Sequence, residues 1–117
     1  MRSLTNYFAG LAAEQSVAIR YIRGGHTLLG HRWRGIGGEI DLIFEKAGTC
    51  IFVEVKKSKA LARAAESLGP RQIQRLFGAA AEFLSGQPKG DLTPSRFDVA
   101  LVDQSGQIEV IENALCA

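Results

Sequence analysis

Residues 39–57 constrain the fold of this chain more than any other stretch. Glu39-Ile40-Asp41-Leu42-Ile43-Phe44-Glu45 and Cys50-Ile51-Phe52-Val53-Glu54-Val55-Lys56-Lys57 are two strand-like runs separated only by Lys46-Ala47-Gly48-Thr49. So short a connection predicts an antiparallel hairpin, because parallel neighbours need a crossover of a dozen or more residues. Side chains alternate between the faces of a strand. The alternation predicts Glu39, Asp41 and Ile43 on one face of the first strand, and Ile40, Leu42 and Phe44 on the other. In the second strand it sets Phe52, Glu54 and Lys56 against Ile51, Val53 and Val55. If Glu45 pairs with Cys50, Asp41 falls opposite Glu54 and Glu39 opposite Lys56, with Cβ atoms about 5 Å apart. A register slip of two residues keeps this patch together, and a slip of one disperses it.

Two carboxylates facing each other repel, by roughly 3 kcal/mol at 5 Å with an effective dielectric near 20. The arrangement calls for a cation. Lys56 supplies one charge, and a bound Mg²⁺ or Mn²⁺ would supply more. Mg²⁺ favours hard oxygen ligands, typically one or two carboxylates completed by waters and phosphate oxygens. Such an ion polarises a scissile phosphate and acidifies a bound water. Lys56 is then placed to position that water or to stabilise charge on the phosphorus centre. A half-exposed hairpin alternates polar and apolar residues without any such site. Against that blander reading, Ile43 and Phe52 share the acidic face, which suggests that the face is covered. Buried acids are costly unless paired or metal-bound.

The rest of the chain supplies a frame for the hairpin. Apolar residues at helical spacing (Leu4, Phe8, Leu11, Ala18, Ile19, Ile22) predict a helix over 4–22, stopped by Gly24-Gly25. Residues 26–34 read as a strand. Gly35, Gly37 and Gly38 mark a flexible connection or bulge. Residues 58–69 are either a loop or a short Ala-rich helix. Pro70 opens a helix that runs to about Leu84, with Ile73, Leu76, Phe77, Ala80 and Leu84 along one stripe. A loop over 85–95 precedes strands at 97–102 and 108–112. The whole is expected to be one domain, 1–117, around one core.

Charge is uneven. Residues 1–75 carry twelve Lys/Arg and six Asp/Glu, whereas 76–117 carry two and six. The basic front half suggests a polyanionic partner. No apolar run approaches the roughly 20 residues of a membrane helix, and the first residues lack a secretory apolar stretch, so no membrane partner and a cytoplasmic location are expected. Cys50 and Cys116 lack the spacing of a zinc site. Arg32, Arg34, Lys57, Lys59, Arg63, Arg71 and Arg75 are candidates for a phosphate-contacting rim, although any one of them is equally well read as a solvated surface charge. Trp33 is expected to be a half-buried strand aromatic rather than a base-stacking platform. His26 and His31 have no carboxylate at ligand spacing and are expected to be structural or surface residues. Asp98 is expected to pair with Arg96 on one strand face.

Gly38-Glu39-Ile40-Asp41-Leu42-Ile43 followed by Phe52-Val53-Glu54-Val55-Lys56 resembles the YraN family of predicted endonuclease-like proteins. Gly10-Leu11-Ala12-Ala13-Glu14, Pro70-Arg71-Gln72-Ile73-Gln74-Arg75-Leu76, Arg96-Phe97-Asp98-Val99 and the closing Glu112-Asn113-Ala114-Leu115 extend the likeness over most of the chain. That family is similar to the restriction-endonuclease-like superfamily, archaeal Holliday-junction resolvases included. The resemblance implies an α/β fold with a central mixed five-stranded sheet flanked by helices. It implies Asp41 and Glu54 as metal ligands, Lys56 as the catalytic lysine and Glu14 as a further helix-borne carboxylate, with Glu39 auxiliary. Gln72 stands where many relatives have lysine, and is grouped with Glu39 as an auxiliary residue. Lys57-Ser58 replaces a more usual Thr-Arg.

The expected function is Mg²⁺- or Mn²⁺-dependent hydrolysis of DNA rather than RNA, branched or structured DNA included. A homodimer is expected by analogy with resolvases. The rival readings are a non-cleaving nucleic-acid-binding module on the same fold, and a purely structural partner domain with a surface hairpin.

Overall fold

A computed structural model describes residues 2–57 and 68–115, with side chains in the first helix from residue 10 onward. The undecided segment 58–69 falls largely outside these residues, as do Lys59, Arg63 and Cys116. The element order is α1 (Arg2–Arg23), β1 (Thr27–Arg34), β2 (Glu39–Lys46), β3 (Thr49–Lys57), α2 (Pro70–Ser85), a short 3-10 turn (Gly90–Leu92), β4 (Ser95–Val102) and β5 (Ile108–Leu115). The strands form one sheet in the order β1-β2-β3-β4-β5. Neighbours are antiparallel except β3 and β4, which run parallel. This is the expected mixed five-stranded sheet between helices, an α/β architecture consistent with a restriction-endonuclease-like core.

The hairpin adopts the expected register, with Glu45 opposite Cys50. Its turn is tighter than four residues. Lys46 pairs with Thr49, and Ala47 (φ +52°) and Gly48 (φ +84°) alone make the bend. Two successive positive φ values are what a type I′ hairpin turn requires, because their twist matches that of the strands.

Each helix covers one face of the sheet. Val17 and Tyr21 of α1 pack with Leu42, Phe44, Ile51, Val53, Ala100 and Val102. Leu76, Ala79, Ala80 and Leu84 of α2 pack with Ile40, Ile43, Cys50, Phe52 and Phe97. On β3 the alternation holds as expected: Ile51 and Val53 face α1, and Phe52 faces α2. On β2 it does not. Ile40 lies with Ile43 on the α2 side, while Leu42 and Phe44 face α1, so the expected Ile40–Leu42–Phe44 face is broken at Asp41. β1 changes sides at the same level, because His31 reaches α1 whereas Trp33 packs toward α2. The pairing His31↔Leu42 and Trp33↔Ile40 places Arg32 beside Asp41 at the break, and Arg32 has φ +50°. A left-handed non-glycine residue inside a strand rotates the backbone out of its pleat.

The glycines after β1, expected as a flexible connection or bulge, form a fastened turn. The Gly35 amide donates to the Gly38 carbonyl at 2.8 Å. The Ile36 amide donates to both Glu82 carboxylate oxygens of α2, at 3.2 Å each.

A second polar anchor ties the two ends of the chain together. Asp98 on β4 is fully buried. It accepts from Tyr21 Oη at 2.6 Å, from Arg96 Nε at 3.0 Å and from the Asn113 amide of β5 at 2.9 Å. The Arg96 pairing is the expected one, and the other two donors convert it into a knot of α1, β4 and β5. Burial, and then the hydrogen bond to Asp98, push the Tyr21 hydroxyl well above the usual tyrosine range, so it remains a donor. Tyr21→Phe removes one donor from a buried carboxylate and keeps the ring, which stacks on Phe44 at 4.6 Å. It is expected to cost about 2 kcal/mol, measured by urea unfolding. A loss too small to resolve would show that Arg96 and Asn113 suffice.

Candidate functional site

The site begins where the β2–β3 ladder stops. Pairing runs from Lys46↔Thr49 to Leu42↔Val53. Beyond it, the Val55 amide donates at 2.8 Å to the Asp41 carboxylate (Oδ2), a side chain in place of a backbone carbonyl. Glu54 and Lys56, two residues apart on β3, both point toward α2. There they meet Gln72, in the first turn of that helix just after Pro70. Gln72 Nε2 donates to Glu54 Oε2 at 2.8 Å, and Lys56 Nζ donates to Gln72 Oε1 at 3.4 Å. Lys56 Nζ lies 3.9 Å from Glu54 Oε2. Asp41, Glu54 and Lys56 therefore converge, with one amide bridging the glutamate and the lysine.

Glu54 is buried, at 6% exposure. Desolvation foremost, and then the neighbouring Asp41 charge, push its carboxyl up to about 9 from an ordinary 4.5, while Lys56 and the Gln72 hydrogen bond pull it down. Asp41 is raised as well, by burial first, against the Val55 amide that favours its charged form. At neutral pH the pair does not hold two full charges. Glu54 Oε1 is buried and receives no hydrogen bond from an N–H or hydroxyl donor among the described residues, although the two carboxyls interact with each other through the proton that one of them retains. Buried polar atoms are ordinarily satisfied, so a carboxyl oxygen with no such donor next to a second carboxyl is the place where a hard cation fits. Two oxygen-donor side chains, one with a buried oxygen that no such donor takes, match the chemistry of Mg²⁺ or Mn²⁺.

Glu14, expected at this centre, has partners of its own. On α1 its Oε1 pairs with His31 Nε2 at 2.7 Å and accepts from Arg32 Nε at 3.0 Å, and its Oε2 accepts from Arg32 Nη2 at 3.3 Å. Its charge is nonetheless felt at Asp41, whose pKa it raises. Among the described residues no three His, Cys, Asp or Glu side chains gather into one metal-holding group, so the centre is an acidic pair with Glu14 beside it. His31, expected to be a structural or surface residue, lies at the surface and meets a carboxylate that is distant in sequence. Consecutive strand residues normally point to opposite faces, but the positive φ of Arg32 lets both His31 and Arg32 reach Glu14. No sequence signal announces a left-handed arginine.

Glu39 does not lie against Lys56 as expected, because the strands cease to pair before that level. It accepts instead from the exposed Arg34 at 3.1 Å. It also borders a groove of about 420 Å³ lined by Gly37, Gly38, Glu39, Arg71, Gln72, Arg75 and Leu76. Of the expected basic rim, Arg71 and Arg75 are exposed along this groove, Lys57 is exposed at the end of β3, and Arg32 is engaged with Glu14. Trp33 is half-buried, edge-on to Phe83 at 5.4 Å. His26 contacts the Tyr21 carbonyl at 3.0 Å. Both are structural, as expected.

Comparison with known proteins gives a family without a described activity. The model of UPF0102, an uncharacterised protein family, matches residues 13–102. A UPF0102 protein of Cereibacter sphaeroides is 54% identical over 117 residues, covering all of both chains. One of Ruegeria pomeroyi is 58% identical over 113 residues, 97% of this chain and 92% of the relative. One of Roseobacter denitrificans is 50% identical over 109 residues, 93% and 84% of the two chains.

The raised Glu54 pKa predicts a pH signature. The folded form keeps a proton that the unfolded chain releases, so this group's contribution is complete below about 4.5 and is lost as pH climbs toward about 9. In EDTA, Glu54→Gln should flatten the decline of the urea midpoint across that window. At pH 7 it should gain on the order of 3 kcal/mol over the parent protein. An equally steep decline in the variant would mean that Glu54 is ionised in the folded protein.

Proposed function

The chain belongs to the uncharacterised protein family UPF0102, and we propose that it is a metal-dependent nuclease-type domain that hydrolyses phosphodiester bonds in DNA, branched or structured DNA included. The carrying observation is the buried Asp41–Glu54 carboxyl pair, with Glu54 Oε1 lacking an N–H or hydroxyl donor among the described residues and the Lys56 ammonium alongside. The likeness to the restriction-endonuclease-like superfamily adds to this reading.

Asp41 and Glu54 are the residues that would hold Mg²⁺ or Mn²⁺. When bound, the ion supplies Lewis-acid polarisation of the phosphate and a more acidic water. The chain's own groups do the rest. The Val55 amide fixes the Asp41 carboxylate, and Gln72 fixes Glu54 and Lys56 relative to each other. Lys56 offers N–H donors to the oxygen charge that grows on the phosphate as water adds and the P–O ester bond breaks. Glu14 acts on Asp41 through its charge. Arg71 and Arg75 hold flanking phosphates, with Arg34 and Lys57 further out. A homodimer and a cytoplasmic location belong to the same proposal.

The test is nicking of plasmid and four-way-junction DNA with Mg²⁺, Mn²⁺ or EDTA. Cleavage is expected only with metal. Asp41→Asn, Glu54→Gln and Lys56→Ala should each slow it by at least about a hundredfold without loss of fold. DNA binding that persists with no cleavage across metals and substrates would replace this proposal with the non-cleaving binding module. Separately, Arg71→Ala with Arg75→Ala should reduce the slope of log affinity against log salt by about 2, read by fluorescence anisotropy. An unchanged slope would remove both arginines from the phosphate path.

A further inference from the structure

Ile36, in the turn between β1 and β2, is 99% exposed, the most exposed large apolar side chain among the described residues. Exposed loop tips usually move, but this one is fastened to α2. Besides the Gly35–Gly38 bond and the double bond from the Ile36 amide to Glu82, the flanking glycines let the turn lie directly on the helix. A Cβ at Gly35 would meet Glu82 Oε2 at 2.5 Å, and one at Gly38 would meet the Arg75 carbonyl at 3.0 Å. The chain therefore keeps side-chain bulk away from both flanks and projects an isoleucine into solvent between them.

What lies next to the tip indicates what it meets. Gly37 and Gly38 form one wall of the groove whose other wall carries the exposed Arg71 and Arg75. Gln72, also lining that groove, is the residue hydrogen-bonded to Glu54. The glycines beside the apolar tip, the exposed Arg71 and Arg75, Glu39 (paired to Arg34) and the Gln72 that bonds Glu54 thus border one groove. A protein-docking surface would be a contiguous apolar patch, whereas the neighbours of Ile36 in its turn are glycines.

We infer that Ile36 is a wedge that enters the base stack of duplex DNA whose phosphates lie along Arg71 and Arg75. Apolar side chains inserted between base steps partly unstack and kink a duplex, and cationic contacts to the backbone offset the unstacking cost. The inference rests on the nucleic-acid reading of the Asp41–Glu54 site, and it concerns the shape imposed on the substrate rather than its cleavage. The unstacked step would sit beside the groove, exposing the adjoining phosphodiester to the acidic pair.

Permanganate oxidation of thymines reads unstacking at any position, and in EDTA it proceeds without cleavage. The full chain, bound to a thymine-rich duplex and to a four-way junction, is expected to raise thymine reactivity several-fold at its site. Ile36→Ser should abolish that rise and bind about tenfold more weakly, a change of 1.4 kcal/mol, with its salt slope intact. Ile36→Phe should retain the reactivity. Binding without increased reactivity, or an Ile36→Ser variant indistinguishable from the parent, overturns the wedge. So does an Ile36→Ser variant that turns a dimer into a monomer in sedimentation, which would make the tip a contact between copies. A parallel Mn²⁺ assay separates the two proposals. Cleavage without unstacking overturns the wedge alone, unstacking without cleavage overturns the hydrolytic reading alone, and absence of DNA binding overturns both.

Discussion

The hydrogen bond from the Val55 amide to Asp41 is the contact on which the site depends. In a continuing hairpin that amide would be taken by a backbone carbonyl, and Asp41 would be one more alternating side chain. Once the carboxylate accepts it, the ladder ends at Leu42↔Val53 and β2 turns its next residue, Ile40, toward the opposite helix. β1 follows by placing Arg32 in the left-handed region at the same level. Strain of this kind costs on the order of 1–3 kcal/mol. It is retained where the altered direction of the side chains is useful: Asp41 and Glu54 are brought to one spot, and Arg32 and His31 are swung together onto Glu14.

Burial then gives the geometry its chemical character. A carboxyl pair in water would simply ionise. Here burial desolvates Glu54, and the Asp41 charge adds to the penalty. Lys56 and Gln72 offset part of it. What remains is a buried acidic pair that retains a proton well above the ordinary carboxylate range, with a lysine held beside it by an amide rather than by direct close contact. The third carboxylate, Glu14, lies near enough to be felt, but its oxygens are occupied by an imidazole and a guanidinium.

Much of this was legible in the residues. The short link between two apolar runs set the hairpin, Glu45 opposite Cys50 set its register, and Pro70 set the start of the second helix. These are local rules that nothing in the tertiary structure overrides. Glu54 and Lys56 share a side by alternation on β3, and the hairpin register carries Asp41 to the level of Glu54, but the partner of Glu39 does not follow, because that argument assumes that strands stay paired beyond Leu42↔Val53. The Glu14–His31–Arg32 cluster was missed for a related reason. Period-two reasoning separates residues 31 and 32, and only a backbone outlier reunites them. Glycine frequency signals a flexible connection or a bulge, whereas here Gly38 lets its backbone lie against that of Arg75 and Gly35 leaves room for the Glu82 carboxylate. The basic rim was legible only as a list of charges, since which arginines remain available depends on which carboxylates fold against them.

Asp98 has one more consequence. Its donors come from the first helix, from its own strand and from the last strand, and Tyr21 lies 77 positions away in sequence. Peeling off either terminus alone would remove one donor from a buried carboxylate and leave it to Arg96 and the other terminus. Loss of either end weakens what Asp98 offers the other, so the N-terminal helix and the last strand are coupled in opening, each acting as the latch of the other.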